Sequence, residues 1–387
     1  MTFRVERLAT DEVVVLTLSG DIAADHAAEL QALVETDADR RVVLDLRDLA
    51  VVDRDGVLFL ARCEVRGARL TNCPGYVREW IERERESADV HQRTDRSEKE
   101  EMAMAHGVTS TVDEGRFEGL GGFNIVFRSW RPQGAPRGIV VVVPGFKSHS
   151  GYYGWAAEQF VAAGLAVYAI DLRGRGKSDG ERFFIENFDD YVSDVATLVT
   201  LAKSREPGVP AFLLGHSAGG VISCLYTLEH QNEIAGLICE SFAHQLPAPD
   251  FALAVLKGLS HVAPHVHVLK LKNEWFSRDP KVVAAMDADP LLAGETQPTL
   301  TMAAMVRADE RLKKDFPLIT LPVMILHGTK DEAAKPSGSQ FFYDTAGSSD
   351  KTLKLYEGGF HDLLNDTDKE VVMADITGWI NRHLPVR

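Results

Sequence analysis

The chain has 387 residues, 45% hydrophobic and 26% charged, a globular composition that excludes a disordered, collagen-like or membrane-spanning protein and leaves room for two or three domains. Asp plus Glu outnumber Lys plus Arg, 57 against 42, and the net charge of −15 repels a phosphate backbone, which excludes nucleic acid as a partner. Four cysteines, none in a CxxC pair, exclude a disulfide scaffold and a zinc or dithiol redox centre, and they read as free thiols.

The opening segment MTFRVERLATDEVVVL is charged where a secretory leader is apolar, and no run approaches the roughly 18 apolar residues of a membrane span, so the expected location is the cytoplasm. FRVERLA and EVVVLTLSG, separated by Thr10 and Asp11, predict a hairpin. Leu30, Leu33 and Val34 fall at helical spacing, RVVLDL predicts a buried strand, and GVLFLARCEVRG, ARLTN and YVREWIERER predict helix, strand and helix. With VVDRDG in its middle, this order resembles the STAS module of bacterial anti-sigma-factor antagonists over residues 1–87. That family usually carries Asp-Ser-Ser/Thr-Gly in the loop after the central strand, and a hydroxyl there is phosphorylated to switch partner binding. This chain has Asp53, Arg54, Asp55 and Gly56. The resemblance therefore puts the fixed carboxylate of Asp55 where the phosphate charge would arrive, and implies a permanent docking or solubilising module in place of a switch.

Residues 88–111 are dense in charge and poor in large apolar side chains, the composition of a linker. Basic residue usage changes across it. Residues 1–97 hold 14 Arg and no Lys, whereas residues 102–387 hold 13 Arg and 14 Lys, as two modules of separate origin would.

From residue 112 to 387 strands and helices alternate regularly. Residues 139–143 (IVVVV) predict a strand, 154–164 a helix, 166–171 (AVYAID) a strand, 188–203 a helix and 210–216 (PAFLLGH) a strand that runs into a helix. Further strands are expected at LICES, VMILHG and TLKLYEG, with a last helix over 371–383. Strands apolar throughout and separated by amphipathic helices predict an α/β fold with a mostly parallel sheet covered on both faces.

GHSAG, residues 215–219, stands between a strongly apolar strand and a helix-forming run, the setting of a nucleophile elbow. Gly215 and Gly219 leave room for a turn sharp enough to raise the Ser217 hydroxyl above the sheet. A serine needs a base to take its proton. His361, just past the last predicted strand, serves better than His216 or His327, which read as structural. The base needs a carboxylate. Asp331 after the penultimate strand gives the order Ser, Asp, His, with Glu332 and Asp362 as rival carboxylates. An oxyanion needs two preorganised donors: the amide of Ala218, at a helix N-terminus, and that of Phe146, in the loop after the 139–143 strand.

PGFKSHSGYY, DLRGRGKSDGER, GHSAGG, HGTKDE and KTLKLYEGGFHDLL resemble, in order and spacing, the monoacylglycerol lipase branch of the α/β-hydrolases. The resemblance implies a serine carboxylic-ester hydrolase acting through a Ser217-His361-Asp331 triad and an acyl-enzyme on an ester with an apolar acyl chain, and it implies no metal or other cofactor. It also implies a helical cap over about 242–309. Two departures bear on the alcohol. Ser148 and Tyr152 stand where the family often carries Glu and Arg at the glycerol site, which favours a broader carboxylesterase over strict glycerol recognition. His261, His265 and His267 match no zinc spacing. Residues 171–178 lack the spacing of a phosphate-binding loop. The alternative function is a regulator that binds a protein partner through the first module.

Overall fold

The computed structural model describes residues 3–10, 13–22, 41–65, 68–82, 111–244 and 250–385. The expected helix around Leu30, Leu33 and Val34 and most of the charged linker lie outside the described residues, while Thr111, assigned to the linker, opens a strand of the second unit. The chain divides into two compact units, Met1–Gly107 and Val108–Arg387.

In the first unit β1 (Arg4–Ala9) and β2 (Val13–Ile22) form the expected antiparallel hairpin, and β3 (Arg41–Val52) and β4 (Arg69–Thr71) extend it in parallel, in the order β1-β2-β3-β4. Alternate residues Val14, Leu16 and Leu18 of β2 and Val42, Leu44 and Leu46 of β3 are buried, the period of two that turns one sheet face inward. The helix Arg54–Val65 and helical residues 75–82 contribute Val57, Leu60, Val77 and Ile81 to that core. Asp53 caps the first of these helices by accepting the Gly56 amide at 2.8 Å, as a short acidic side chain does at a helix start. The side chains of Arg54 and Asp55 lie outside the described residues.

The second unit holds β5 (Thr111–Glu118), β6 (Asn124–Arg131), β7 (Gly138–Val143), β8 (Leu165–Ile170), β9 (Ala211–His216), β10 (Gly236–Glu240), a two-stranded ribbon of β11 (His267–Leu269) and β12 (Gln297–Pro298), then β13 (Val323–Gly328) and β14 (Lys351–Tyr356). Eight of these form one sheet in the order β14-β13-β10-β9-β7-β8-β6-β5. It is parallel from β14 to β8, with β6 and β5 antiparallel at one edge. Side chains alternate between two cores. Ile139, Val141, Val143 and Leu213 face the helices Phe188–Arg205 and Ala218–His230, and Val140, Val142, Phe212 and Leu214 face the helices Gly154–Ala162 and Lys369–His383. This is the α/β-hydrolase fold, with both faces of a mostly parallel sheet buried.

Parallel register brings the carboxyl ends of β7, β9, β10 and β13 to one edge, pairing Val143 with Gly215, and Glu240 with both His216 and Leu326. The loops that leave those ends carry the candidate site, as expected of an open α/β sheet. Between β10 and β13 the chain inserts the helices Asp250–Val262, Pro280–Ala288 and Thr299–Asp315 and the ribbon. The last of these helices continues past Asp309, because Met302, Met305, Ala308 and Leu312 bury one of its faces in the core beside the sheet.

The final helix docks through Trp379, 1% exposed, whose ring meets Phe212 edge-on at 6.0 Å. Gly236 leaves the space it fills, since a Cβ there would lie 2.5 Å from the indole. Replacing Trp379 by Ala should cost about 3–5 kcal/mol, read as a lowered urea midpoint of the second unit. A loss under about 1 kcal/mol would show that this helix is not part of the core.

Candidate active site

Ser217 ends β9 and precedes the helix Ala218–His230 with φ 55 and ψ −121, a conformation that a non-glycine residue holds only under constraint. The flanking glycines explain how the turn closes. A Cβ on Gly215 would lie 2.4 Å from the Gly219 carbonyl oxygen, and one on Gly219 would lie 2.0 Å from that of Val143. The Ser217 amide donates to Glu240 O at 2.9 Å, which ties the turn to the neighbouring strand.

The structure brings Ser217, His361 and Asp331 together. His361 Nε2 lies 2.8 Å from Ser217 Oγ, and His361 Nδ1 lies 2.7 Å from Asp331 Oδ2. A carboxylate accepts, so Nδ1 carries the ring proton and Nε2 presents a lone pair to the hydroxyl. Burial alone would raise the Asp331 carboxyl. The His361 charge and hydrogen bonds from His327 and His361 outweigh burial and hold it well below the usual carboxylate range. Its other oxygen accepts the amides of Ala333 and Ala334, both at 2.8 Å. Of the rival carboxylates, Glu332 is exposed, and Asp362 points to Asn365 at 3.0 Å.

Phe146 and Ala218 occupy the two loops that meet over the serine. A Cβ on Gly145 would lie 2.7 Å from Ser217 Cβ, so the loop after β7 runs directly across the nucleophile. Among the described residues neither the Phe146 nor the Ala218 amide has an acceptor within the protein. The Phe146 ring is wedged edge-on against Phe188 at 6.1 Å, with the Arg175 guanidinium 3.9 Å from its centroid.

Three buried groups around the triad were read from the sequence as structural or not singled out for this role. His327 Nε2 reaches Asp331 Oδ2 at 3.1 Å and its Nδ1 meets Ser339 Oγ at 2.7 Å, so it holds the carboxylate that holds the base. Its place at the end of a strand leaves no spacing signal for this role, because the bond forms only as the turn after β13 folds back. His216 Nε2 donates to the His361 carbonyl at 3.2 Å, and Glu240 Oε1 accepts the Leu364 amide at 3.0 Å. Both brace the loop that carries His361. With Asp362 these two offer ligand atoms within 4.8 Å of one another, the one such set of three among the described residues. His261, His265 and His267 form no such group: His265 pairs with Glu181 at 2.9 Å and His267 meets Thr296 Oγ1 at 2.5 Å.

The insertion closes on this site through polar contacts. The Trp275 and Phe276 carbonyls accept the amides of His361 and Asp362 at 3.3 and 2.8 Å, and the Phe276 ring stands perpendicular to the His361 imidazole at 5.0 Å. Asp289 Oδ2 accepts from His149 Nε2 at 2.9 Å and from the Tyr152 hydroxyl at 3.0 Å. Tyr152 thus tethers the insertion. Arg175, at the heart of the 171–178 loop, pairs with Glu295 at 2.6 Å, and Asp171 in the same loop accepts the Ser150 amide at 2.8 Å.

A family profile described as serine aminopeptidase, S33, matches residues 134–368. The chain is 36% identical over 280 residues to a monoacylglycerol lipase of Mycolicibacterium smegmatis, covering 72% of this chain and all of the relative. It is 31% identical to human monoglyceride lipase, over 66% of this chain and 86% of that one. Among solved structures, the monoacylglycerol lipase of Paleococcus ferrophilus aligns with a TM-score of 0.59 at 28% identity, over 70% of this chain and 99% of that one.

Full burial, then the His361 charge, pulls the His216 imidazole down to about 3 from its ordinary 6.5. The unfolded chain takes up this proton as pH falls below 6.5 and the folded chain does not, so His216 costs stability on acidification across that window. Burial raises the Asp362 carboxyl to about 6, which gives an opposite slope over its own upper range. The difference between variant and wild type isolates the histidine. His216→Gln, which keeps a donor for the His361 carbonyl, should gain stability relative to wild type between pH 7.5 and 5. Parallel urea midpoints at the two pH values would show that His216 is not held neutral.

Proposed function

The chain belongs to the serine aminopeptidase S33 family, and from this membership and the site geometry we propose that it cleaves carboxylic esters with an apolar acyl chain through an acyl-enzyme formed on Ser217. It is a serine ester hydrolase; the proposal concerns which residues act and on what. The observation that carries it is the continuous chain from Ser217 Oγ through His361 to Asp331, at 2.8 and 2.7 Å.

In this reading Ser217 Oγ attacks the ester carbonyl as its proton passes to His361 Nε2, and Asp331 stabilises the imidazolium through Nδ1–H. The amides of Phe146 and Ala218 donate hydrogen bonds to the developing oxyanion, the second from a helix N-terminus whose dipole favours negative charge. The tetrahedral adduct collapses, the C–O bond to the alcohol breaks, and His361 returns the proton to the leaving oxygen. Water then attacks the acyl-enzyme by the same route and releases the acid.

The acyl portion suits the insertion. Its helix Asp250–Val262 and the segment after it expose Val255, Val262, Val266 and Val268 at 64, 81, 49 and 45%, apolar side chains on the insertion. Relatives named monoacylglycerol and monoglyceride lipases make monoacylglycerols the first substrates to try. Among the described residues no helix is long and apolar enough to cross a membrane, and the four cysteines are free thiols, which fits action in a reducing cytoplasm. Nothing among the described residues favours the alternative role as a partner-binding regulator.

Ser217→Ala should lower turnover of a medium-chain p-nitrophenyl ester at least 10³-fold with unchanged circular dichroism, and Asp331→Asn should lower kcat by about 10²–10⁴. Monoacylglycerols should be cleaved far faster than an aminoacyl p-nitroanilide of the kind an aminopeptidase takes. Retained turnover in Ser217→Ala would remove the nucleophile assignment, and faster anilide cleavage would remove the ester preference.

A further inference from the structure

Lys147 lies two residues beyond Gly145, in the loop that crosses the nucleophile, and three features set it apart. Its φ is +48, in the left-handed region where a long side chain is uncommon and where glycine is the undemanding choice. It is 7% exposed. Among the described residues no hydrogen bond or ion pair engages its ammonium, although buried lysines are ordinarily paired.

The obvious counter-ion, Glu295, spends one oxygen on other donors and leaves the second, Oε2, buried without a hydrogen-bond partner. Glu295 Oε1 takes the Lys147 backbone amide at 2.6 Å, Arg175 Nη1 at 2.6 Å and Gln297 Nε2 at 2.8 Å. The Lys147 ammonium feels the Glu295 charge without bonding to either oxygen. Its other charged neighbours are Lys270 and Asp287, both on the insertion. The stretch that begins with Lys270 continues into Trp275 and Phe276, whose carbonyls hold the His361 loop. The cation thus sits between the oxyanion loop and the part of the insertion that touches the triad, and burial pulls it below the usual lysine range. A left-handed backbone and a cation that no carboxylate bonds, held in the loop that crosses the nucleophile, are features retained where a ligand completes the site.

We propose that Lys147 is the specificity-determining cation of this site, and that its ammonium receives an anionic group, phosphate or carboxylate, attached within a few bonds of the scissile ester. The inference rests on the ester-hydrolase reading of the same site. It supplies what the Ser148 and Tyr152 positions lack, because Tyr152 is spent on Asp289 and the charge that meets the polar head comes from the preceding loop position. The substrates are acyl esters of a glycerol phosphate or of a small hydroxy acid.

Three lauroyl esters matched in chain length test it: 1-lauroylglycerol, 1-lauroylglycerol 3-phosphate and the lauroyl ester of lactate. The wild type should favour at least one anionic ester over the neutral one by tenfold or more in kcat/KM, and the phosphate and carboxylate arms show which anion fits. Lys147→Met should lower that ratio at least tenfold, and Lys147→Arg should restore part of it. A wild-type preference for the neutral ester, or a ratio that Lys147→Met leaves alone, would overturn the proposal. Should Lys147→Met fail to fold, the wild-type ratio decides. Binding of the matching non-hydrolysable ethers to the Ser217→Ala protein, measured by calorimetry with and without Lys147→Met, separates the two readings. A tenfold weakening confined to the anionic ethers upholds the role of Lys147 even if the nucleophile is misassigned.

Discussion

The backbone at Ser217 is the constraint on which the site depends. A residue at φ 55 and ψ −121 costs of order 1–3 kcal/mol, and the surrounding structure holds it there from several sides. The carbonyls of Val143 and Gly219 pack so closely that glycine is required at 215 and 219, and Glu240 O fixes the Ser217 amide. Each contact comes from a different strand or helix of a sheet whose two faces are covered by separate apolar cores. The strain can persist because those cores resist rearrangement. The same sharp turn frees the Ala218 amide at a helix N-terminus, so a single conformational cost raises the hydroxyl and creates a donor for the oxyanion.

Around this turn the protein concentrates buried charge in an ordered way. Asp331 stays ionised because four donors converge on it. Glu240 and Asp362, close by and equally buried, have their carboxyls pushed upward, in each case first by burial. Environment therefore sets three carboxyl groups apart, one held low by the donors and imidazole around it and two raised by burial. Glu240 accepts the Leu364 amide and Asp362 the Asn365 side-chain amide, and these bonds brace the segment that carries the histidine.

How much of this was legible in the sequence follows from what kind of signal each part leaves. The alternating apolar strands and helices announced the sheet, because burial on both faces forces continuous apolar runs. GHSAG, HGTKDE and the last strand with its histidine announced the Ser217, Asp331 and His361 positions, because each sits at a strand end where chain order and chemistry coincide. The end of the insertion was harder to read, since the helix Thr299–Asp315 serves the insertion at its start and the sheet core at its end and its apolar spacing is continuous. His327 read as a strand residue, and its bond to Asp331 depends on how a turn folds back. Glu240 and Lys147 were illegible for a simpler reason. A carboxylate or an ammonium in sequence looks solvated until the fold shows where each residue is enclosed.

The insertion is joined to the body in a manner that ties substrate recognition to catalytic geometry. Its clips land on the machinery itself: Trp275 and Phe276 on the His361 loop, Glu295 on the Lys147 amide and Arg175, and Asp289 on His149 and Tyr152. The loop after β7 is the common partner. It places Gly145 over Ser217, offers the Phe146 amide, and anchors to Asp171 through Ser150. Any movement of the insertion relative to this loop displaces both the oxyanion donor and the support of the base, because the same short segments serve both. This polar fastening gives Tyr152 a use other than an alcohol pocket. The Tyr152 hydroxyl, in forming the clip to Asp289, is withdrawn from the substrate, and recognition of the polar end passes to other residues of the same loop.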